Sequence, residues 1–90
     1  MKSYIIIYHL NLPESSYTNL FTFLKTAPLW ARPSPSTWII KAEVEASKIR
    51  DGIKDRINQN DKVLVIEIKN TNWGTSNISK EVTDWMKNNL

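Results

Sequence analysis

The stretch from Ser3 to Leu10 constrains the fold most, because it is a short apolar run that Asn11 and Pro13 close. Such runs, rich in β-branched and aromatic residues, are typical of strands. Both alternating faces of this run are apolar until His9, whereas a half-exposed strand would present one polar face. We therefore expect a central strand that is covered on both faces.

The length of 90 residues predicts a single domain over residues 1–90. A domain of this size buries only about 60–65% of its unfolded surface, so its stability is marginal. The chain has no cysteine, which excludes disulfides, thiolate metal sites and thiol catalysis. Association with a second copy is the remaining route to extra burial.

The net charge of +3, from 12 basic and 9 acidic residues, permits nucleic-acid binding without requiring it. The apolar run near the N-terminus lacks a small-residue cleavage site and is far too short to cross a bilayer. We expect a cytoplasmic protein with no membrane partner.

Hydrophobic spacing predicts three helices and three further strands. Serines after Pro13 supply N-cap oxygens for a first helix over residues 17–24. Residues 29–32 and 36–41 read as a hairpin, and residues 62–69 as a last strand. A second helix has an apolar stripe ending at Ile57, a turn covers residues 70–74, and a third helix carries Ile78, Val82, Trp85 and Met86.

The order β-α-β-β-α-β-α predicts an α+β domain of the ferredoxin-like, or split βαβ, type. Right-handed crossovers put the first two helices on one face of a four-stranded antiparallel sheet. On the last strand, Leu64, Ile66 and Ile68 form an all-apolar face, which we expect toward the helices. Val63 and Val65 then lie on the open face.

The open sheet face predicts a homodimer, because two helices can cover only one side of the sheet. The first strand is apolar on both sides, and a soluble monomer seldom exposes an apolar patch beyond a few hundred Å². The third helix is the competing cover, folded across its own sheet or its partner's. Four tryptophans are unusual in 90 residues, and Trp30 and Trp38 could be buried or could stack bases.

Several short sequence segments resemble the small ferredoxin-like family of CRISPR-associated endoribonucleases and their uncharacterised bacterial relatives. They occupy residues 4–10, 36–41, 49–51 and 61–65, and residues 73–74 and 83–90 are similar to the uncharacterised relatives. In the nuclease members an aspartate follows the tyrosine that ends the first strand. Two such aspartates, one from each protomer, are held to bind a metal that activates water.

His9 occupies the position that matches this aspartate, and the nearest carboxylate along the chain is Glu14. Metals of the Mg²⁺ class prefer oxygen ligands, so a neutral imidazole is a poor substitute. We expect no bound metal, no cofactor and no metal-dependent nuclease activity. His9 is still the one candidate catalytic residue, because imidazole can act as a general acid or base near neutral pH.

Basic side chains could form a surface that contacts phosphates, since such contacts need only positive groups on one face. An ordinary solvated helix face with interleaved aspartates explains the same pattern. The basic residues are Arg32, Lys41, Lys48, Arg50, Lys54, Arg56 and Lys62, and we expect nucleic-acid contacts at the first five.

The leading hypothesis for function is a non-catalytic, dimeric nucleic-acid-associated or scaffold protein related to this nuclease family. One alternative is a metal-dependent or His9-assisted nuclease acting on RNA or DNA. A second is a protein–protein interaction module. A contiguous basic surface would favour nucleic acid, and interspersed charges would favour the interaction module.

Overall fold

The chain, in a computed structural model that describes residues 1–69 and 72–90, is an α+β domain with one four-stranded antiparallel sheet. The elements are β1 (Lys2–His9), α1 (Thr18–Leu24), β2 (Leu29–Ser34), β3 (Thr37–Ala42), α2 (Ala46–Lys54), β4 (Lys62–Ile68) and α3 (Lys80–Asn89). This order confirms the sequence of strands and helices that the hydrophobic spacing predicts. Part of the predicted turn, Asn70 and Thr71, lies outside the described residues.

The sheet has the strand order β2-β3-β1-β4, which confirms that β1 is central. β1 pairs antiparallel with β3 and with β4 along most of its length. β2 and β3 form the hairpin, whose register shifts between Ala31 and Ser34, where Pro33 cannot donate a ladder hydrogen bond.

The main core lies between the sheet and the first two helices. Tyr4, Ile6 and Tyr8 on β1 pack with buried side chains of β3, α1 and α2 in one cluster. The helices add Tyr17, Leu20, Leu24, Ile49 and Ile53 to it, and β3 adds Trp38, Ile40 and Ala42. Both tyrosine hydroxyls on β1 donate to backbone carbonyls, of Val44 at 2.6 Å and of Pro35 at 2.8 Å, so their burial leaves no lost hydrogen bond.

β4 presents the opposite face to the helices from the one that its sequence predicts. Val63 and Val65 pack against the core, and Leu64 and Ile66 are exposed. The register explains the reversal, because the core residues Ile6 and Tyr8 of β1 lie opposite the two valines. The aromatic face of β1 therefore decides which side of β4 is buried.

The ends of the first two helices also differ from expectation. No serine caps α1: a 3₁₀ turn over Glu14–Tyr17 precedes it, and its N-cap residue Tyr17 makes no side-chain capping bond. The Tyr17 ring is buried instead, so packing rather than capping sets this helix start. α2 ends at Lys54, although Ile57 still packs against the core.

α3 lies on the other face of the sheet, over the β2–β3 half. Ile39 and Ala31 point to that face and are 4% and 5% exposed. Val82 and Trp85 line a cavity with Ala31, and the Lys41 ammonium donates to the carbonyl of Asn89. Ser79 caps the helix by accepting from the Val82 N–H at 3.3 Å.

The cover from α3 leaves Ile7 on β1 and Leu64 and Ile66 on β4 exposed. Ile7 is 42% exposed, so the expectation that β1 is covered on both faces is wrong within one chain. Within the described residues, no helix has the length and apolar character needed to cross a membrane.

Candidate functional site

A contiguous apolar surface on the face that α3 leaves bare is the most distinctive feature of the molecule. We call it the open-face patch, and its members are Ile5, Ile7, Leu64, Ile66 and Ile68. Ile5 lies opposite Ile66, and Ile7 lies opposite Leu64, so the side chains form cross-strand pairs. Leu64 and Ile66 are 53% and 44% exposed. Solvated strand faces are normally polar, so this surface has the composition of an interior.

His9 lies at one end of the open-face patch, exposed, and opposite Lys62 at the start of β4. It also lines a small cavity of about 230 Å³ together with Glu14 and Ser36. The candidate catalytic imidazole and the nearest carboxylate therefore border the same space.

Glu14 is already engaged in this cavity by Arg32. The Arg32 guanidinium donates to a Glu14 carboxylate oxygen at 2.6 Å and to the Pro35 carbonyl at 2.9 Å. Its carbon lies 4.5 Å from the Phe21 ring centre and 5.1 Å from that of Trp38. Cation–π contacts of this kind hold the guanidinium against the aromatic surface. Arg32 therefore acts first as a structural clamp.

The sequence-predicted nucleic-acid residues do not share one surface. Arg32 is clamped on the helical side, and Lys41 bonds to α3 on the opposite side of the sheet. Lys48, Arg50 and Lys54 are exposed on α2. Arg50 and Lys54 are four residues apart and share one flank of the helix, from which Lys48 is turned away.

A groove of about 780 Å³ brings two of those residues together with a third cation. It runs between the end of α2 and the start of β4, and we call it the basic groove. Its lining consists of Arg50, Lys54, Ile57, Asn58, Gln59, Asp61, Lys62 and Val63. Lys62 was in the wider set of basic residues, but sequence reasoning missed the two amides. Polar residues after a helix are expected in any loop, so Asn58 and Gln59 could not be assigned to a binding groove before the fold was known.

Asp61 in this groove turns its carboxylate inward as a structural hub. It accepts from the Tyr17 hydroxyl at 2.8 Å, from the Asn58 N–H at 2.8 Å and from the Asn11 N–H at 2.9 Å. Burial acts to raise the pKa of Asp61, but these hydrogen bonds outweigh it and hold the pKa below the ordinary value. The carboxylate thus joins the loops that follow β1 and α2.

Within residues 1–69 and 72–90, no three His, Asp or Glu side chains form a group that could hold a metal ion. No family model, curated protein or solved structure matches the chain.

Proposed function

We propose that this chain is a non-catalytic homodimer that associates with nucleic acid and is related to the CRISPR-associated endoribonuclease family. The strand order β2-β3-β1-β4, with α1 and α2 packed on one side, supports a ferredoxin-like arrangement. The proposed relationship also rests on the strings of residues that resemble the family.

The open-face patch is the observation that carries the homodimer. Monomeric proteins rarely leave adjoining large aliphatic side chains exposed, and larger patches of this kind mark interaction sites. A second copy is the occupant that the composition favours. α3 contacts β2 on this side of the sheet, and Ile7, Leu64 and Ile66 on the neighbouring strands β1 and β4 are exposed.

A two-fold axis would place the open-face patch of each protomer against that of the other. Such an isologous contact uses the same surface on both copies, and an apolar patch is complementary to itself. Half-buried side chains then add apolar contacts from Val82 and Trp85 on α3 and from Ile78 just before it. Burial of apolar surface contributes about 25 cal/mol per Å², so this pairing would also stabilise a small domain.

Cysteine cross-linking tests the interface directly, because the natural chain contains no cysteine. Ile66→Cys is treated with a flexible bifunctional maleimide at micromolar protein concentration and run on a denaturing gel. Val44→Cys is the matched control, since Val44 is 46% exposed but borders the α1–α2 side. We expect covalent dimer for the first variant and monomer for the second. Equal cross-linking of both would reject the interface.

The non-catalytic part of the proposal rests on His9 and Glu14. His9 replaces the aspartate that the family resemblance implies, and the Glu14 carboxylate is paired with Arg32. The competing nuclease hypothesis draws on the cavity that His9 and Glu14 share. Incubation of RNA and DNA with the protein and Mg²⁺ or Mn²⁺ tests it. Cleavage that His9→Ala abolishes would overturn the proposal.

The distribution of charge favours nucleic acid over a pure interaction module. Arg50, Lys54 and Lys62 gather at one groove, whereas the carboxylate of Asp61 in that groove is occupied by internal hydrogen bonds. A binding titration at low salt tests this part. No binding of RNA or DNA would instead favour the interaction module.

A further inference from the structure

We infer that the basic groove is the site at which this protein contacts the sugar–phosphate backbone of a nucleic-acid strand. The inference rests on the proposed association with nucleic acid and adds its location and mode. It also replaces the five-residue set that the sequence predicts with Arg50, Lys54 and Lys62.

The three cations of the groove are available to an anion. Lys54 and Lys62 form no ion pair within the described part of the chain. Arg50 donates two hydrogen bonds, from Nε and from Nη2, to a single carboxylate oxygen of Asp51. Both side chains are more than half exposed. Exposed pairs of this kind contribute little, and the Arg50 Nη1 donors are still free for phosphate.

The one acidic side chain lining the groove does not oppose an anion strongly. Asp61 directs its carboxylate oxygens to Tyr17, Asn11 and Asn58 within the fold. Asn58 and Gln59 add neutral amide donors and acceptors beside the cations. The groove therefore offers a positive surface with hydrogen-bonding groups along it.

The lining also indicates how a nucleic acid would be read. No aromatic side chain lines the groove, so bases have no surface on which to stack. Contacts with phosphate position a strand without reading its sequence. We therefore expect binding that is independent of sequence and sensitive to salt. Three phosphate contacts to a single strand give a slope of about −2 in log K against log salt.

Fluorescence anisotropy with a labelled single-stranded RNA or DNA 20-mer tests the inference. The groove variant combines Arg50→Gln, Lys54→Gln and Lys62→Gln. The control combines Lys25→Gln, Lys48→Gln and Lys87→Gln, which removes the same charge from exposed sites outside the groove. Circular dichroism verifies that both variants fold. We expect at least tenfold weaker binding and a slope near zero for the groove variant only.

The outcomes separate the two levels of the proposal. If the natural protein binds neither RNA nor DNA at low salt, the association with nucleic acid itself fails. If it binds but both triple variants weaken equally, the groove is not the site. Competition at constant ionic strength identifies the ligand. Displacement by inorganic phosphate or by polyglutamate as effective as by unlabelled oligonucleotide would overturn the assignment to a nucleic-acid strand.

Discussion

Ile7 and Leu64 lie directly opposite each other on β1 and β4, and 42% and 53% of their surfaces are exposed. A cross-strand aliphatic pair of this kind is ordinarily part of a core. Here α3 covers only the neighbouring half of the face. This relationship links the fold of one chain to the proposed assembly of two.

The thermal stability of the natural protein should depend on its concentration. Only folded chains associate into the dimer, so dimerisation stabilises the folded state. By mass action, Tm therefore rises as the protein becomes more concentrated. We expect Tm to rise by several degrees between 1 and 100 µM (about two orders of magnitude in concentration). Leu64→Glu should remove this dependence, because it places a charge in the open-face patch. Scanning calorimetry measures both, and a concentration-independent Tm of the natural protein would contradict dimerisation.

Gly52 should not tolerate alanine, although alanine is the better helix former by about 1 kcal/mol. A Cβ at Gly52 would collide with the tip of the Phe23 ring, where α2 approaches α1. We expect Gly52→Ala to destabilise the fold by about 1–2 kcal/mol, the range for overpacking. Urea denaturation measures the change.

Phe23→Ala supplies the control for Gly52. With the ring removed, the Cβ has space, and Gly52→Ala should then stabilise the fold by up to about 1 kcal/mol. A double-mutant cycle gives the coupling between the two positions. Gly52→Ala that stabilises the protein with Phe23 present would refute the steric explanation.

The sequence predicts the helices and strands well because each has its own hydrophobic periodicity and is bounded by residues that favour turns. It predicts the wrong buried face of β4, since the face of Leu64 is the more apolar one in the sequence but the face of Val63 packs on the core. The cross-strand register with β1 decides that choice, and register depends on contacts distant in sequence. The basic groove cannot be predicted from the sequence for the same reason, because Arg50 and Lys62 come to line one groove only when α2 packs beside β4. The close approach of Phe23 to Gly52 likewise exists only after the helices pack.

Asp61 should make the stability depend on acidic pH. Its pKa is lowered in the folded state, so its contribution is fully present above the unfolded value of about 3.9. That contribution is lost as pH falls through the folded pKa. Asp61→Asn should cost about 1 kcal/mol at pH 7, because asparagine keeps one acceptor oxygen but loses the second oxygen and the charge that strengthen these solvent-accessible and half-buried hydrogen bonds.

Urea denaturation at pH 7 and at several values below 4 (about the unfolded pKa of aspartate) tests this role of Asp61. The free energy of unfolding of Asp61→Asn should fall less steeply in acid than that of the natural protein. Asp55→Asn is the matched control, since Asp55 is exposed. Equal effects of the two substitutions would contradict the hub.

Arg32 and Lys54 should separate stability from binding, although the sequence assigns both to nucleic acid. Arg32→Gln removes the ion pair with Glu14 and the packing on Phe21 and Trp38, so we expect a loss of about 1–2 kcal/mol. Lys54→Gln should leave stability unchanged and weaken binding of an oligonucleotide by about threefold. Urea denaturation and anisotropy measure the two effects. The reverse pattern would place the binding surface at Arg32.

Sedimentation equilibrium of the natural protein and of Ile66→Glu, at micromolar concentration, tests the homodimer most directly. Val44→Glu is the control, because Val44 is exposed to a similar degree outside the open-face patch. We expect the mass of a dimer for the natural protein and for Val44→Glu, and the 10.5 kDa mass of one chain for Ile66→Glu. A monomer mass for the natural protein at micromolar concentration would contradict the proposed homodimer.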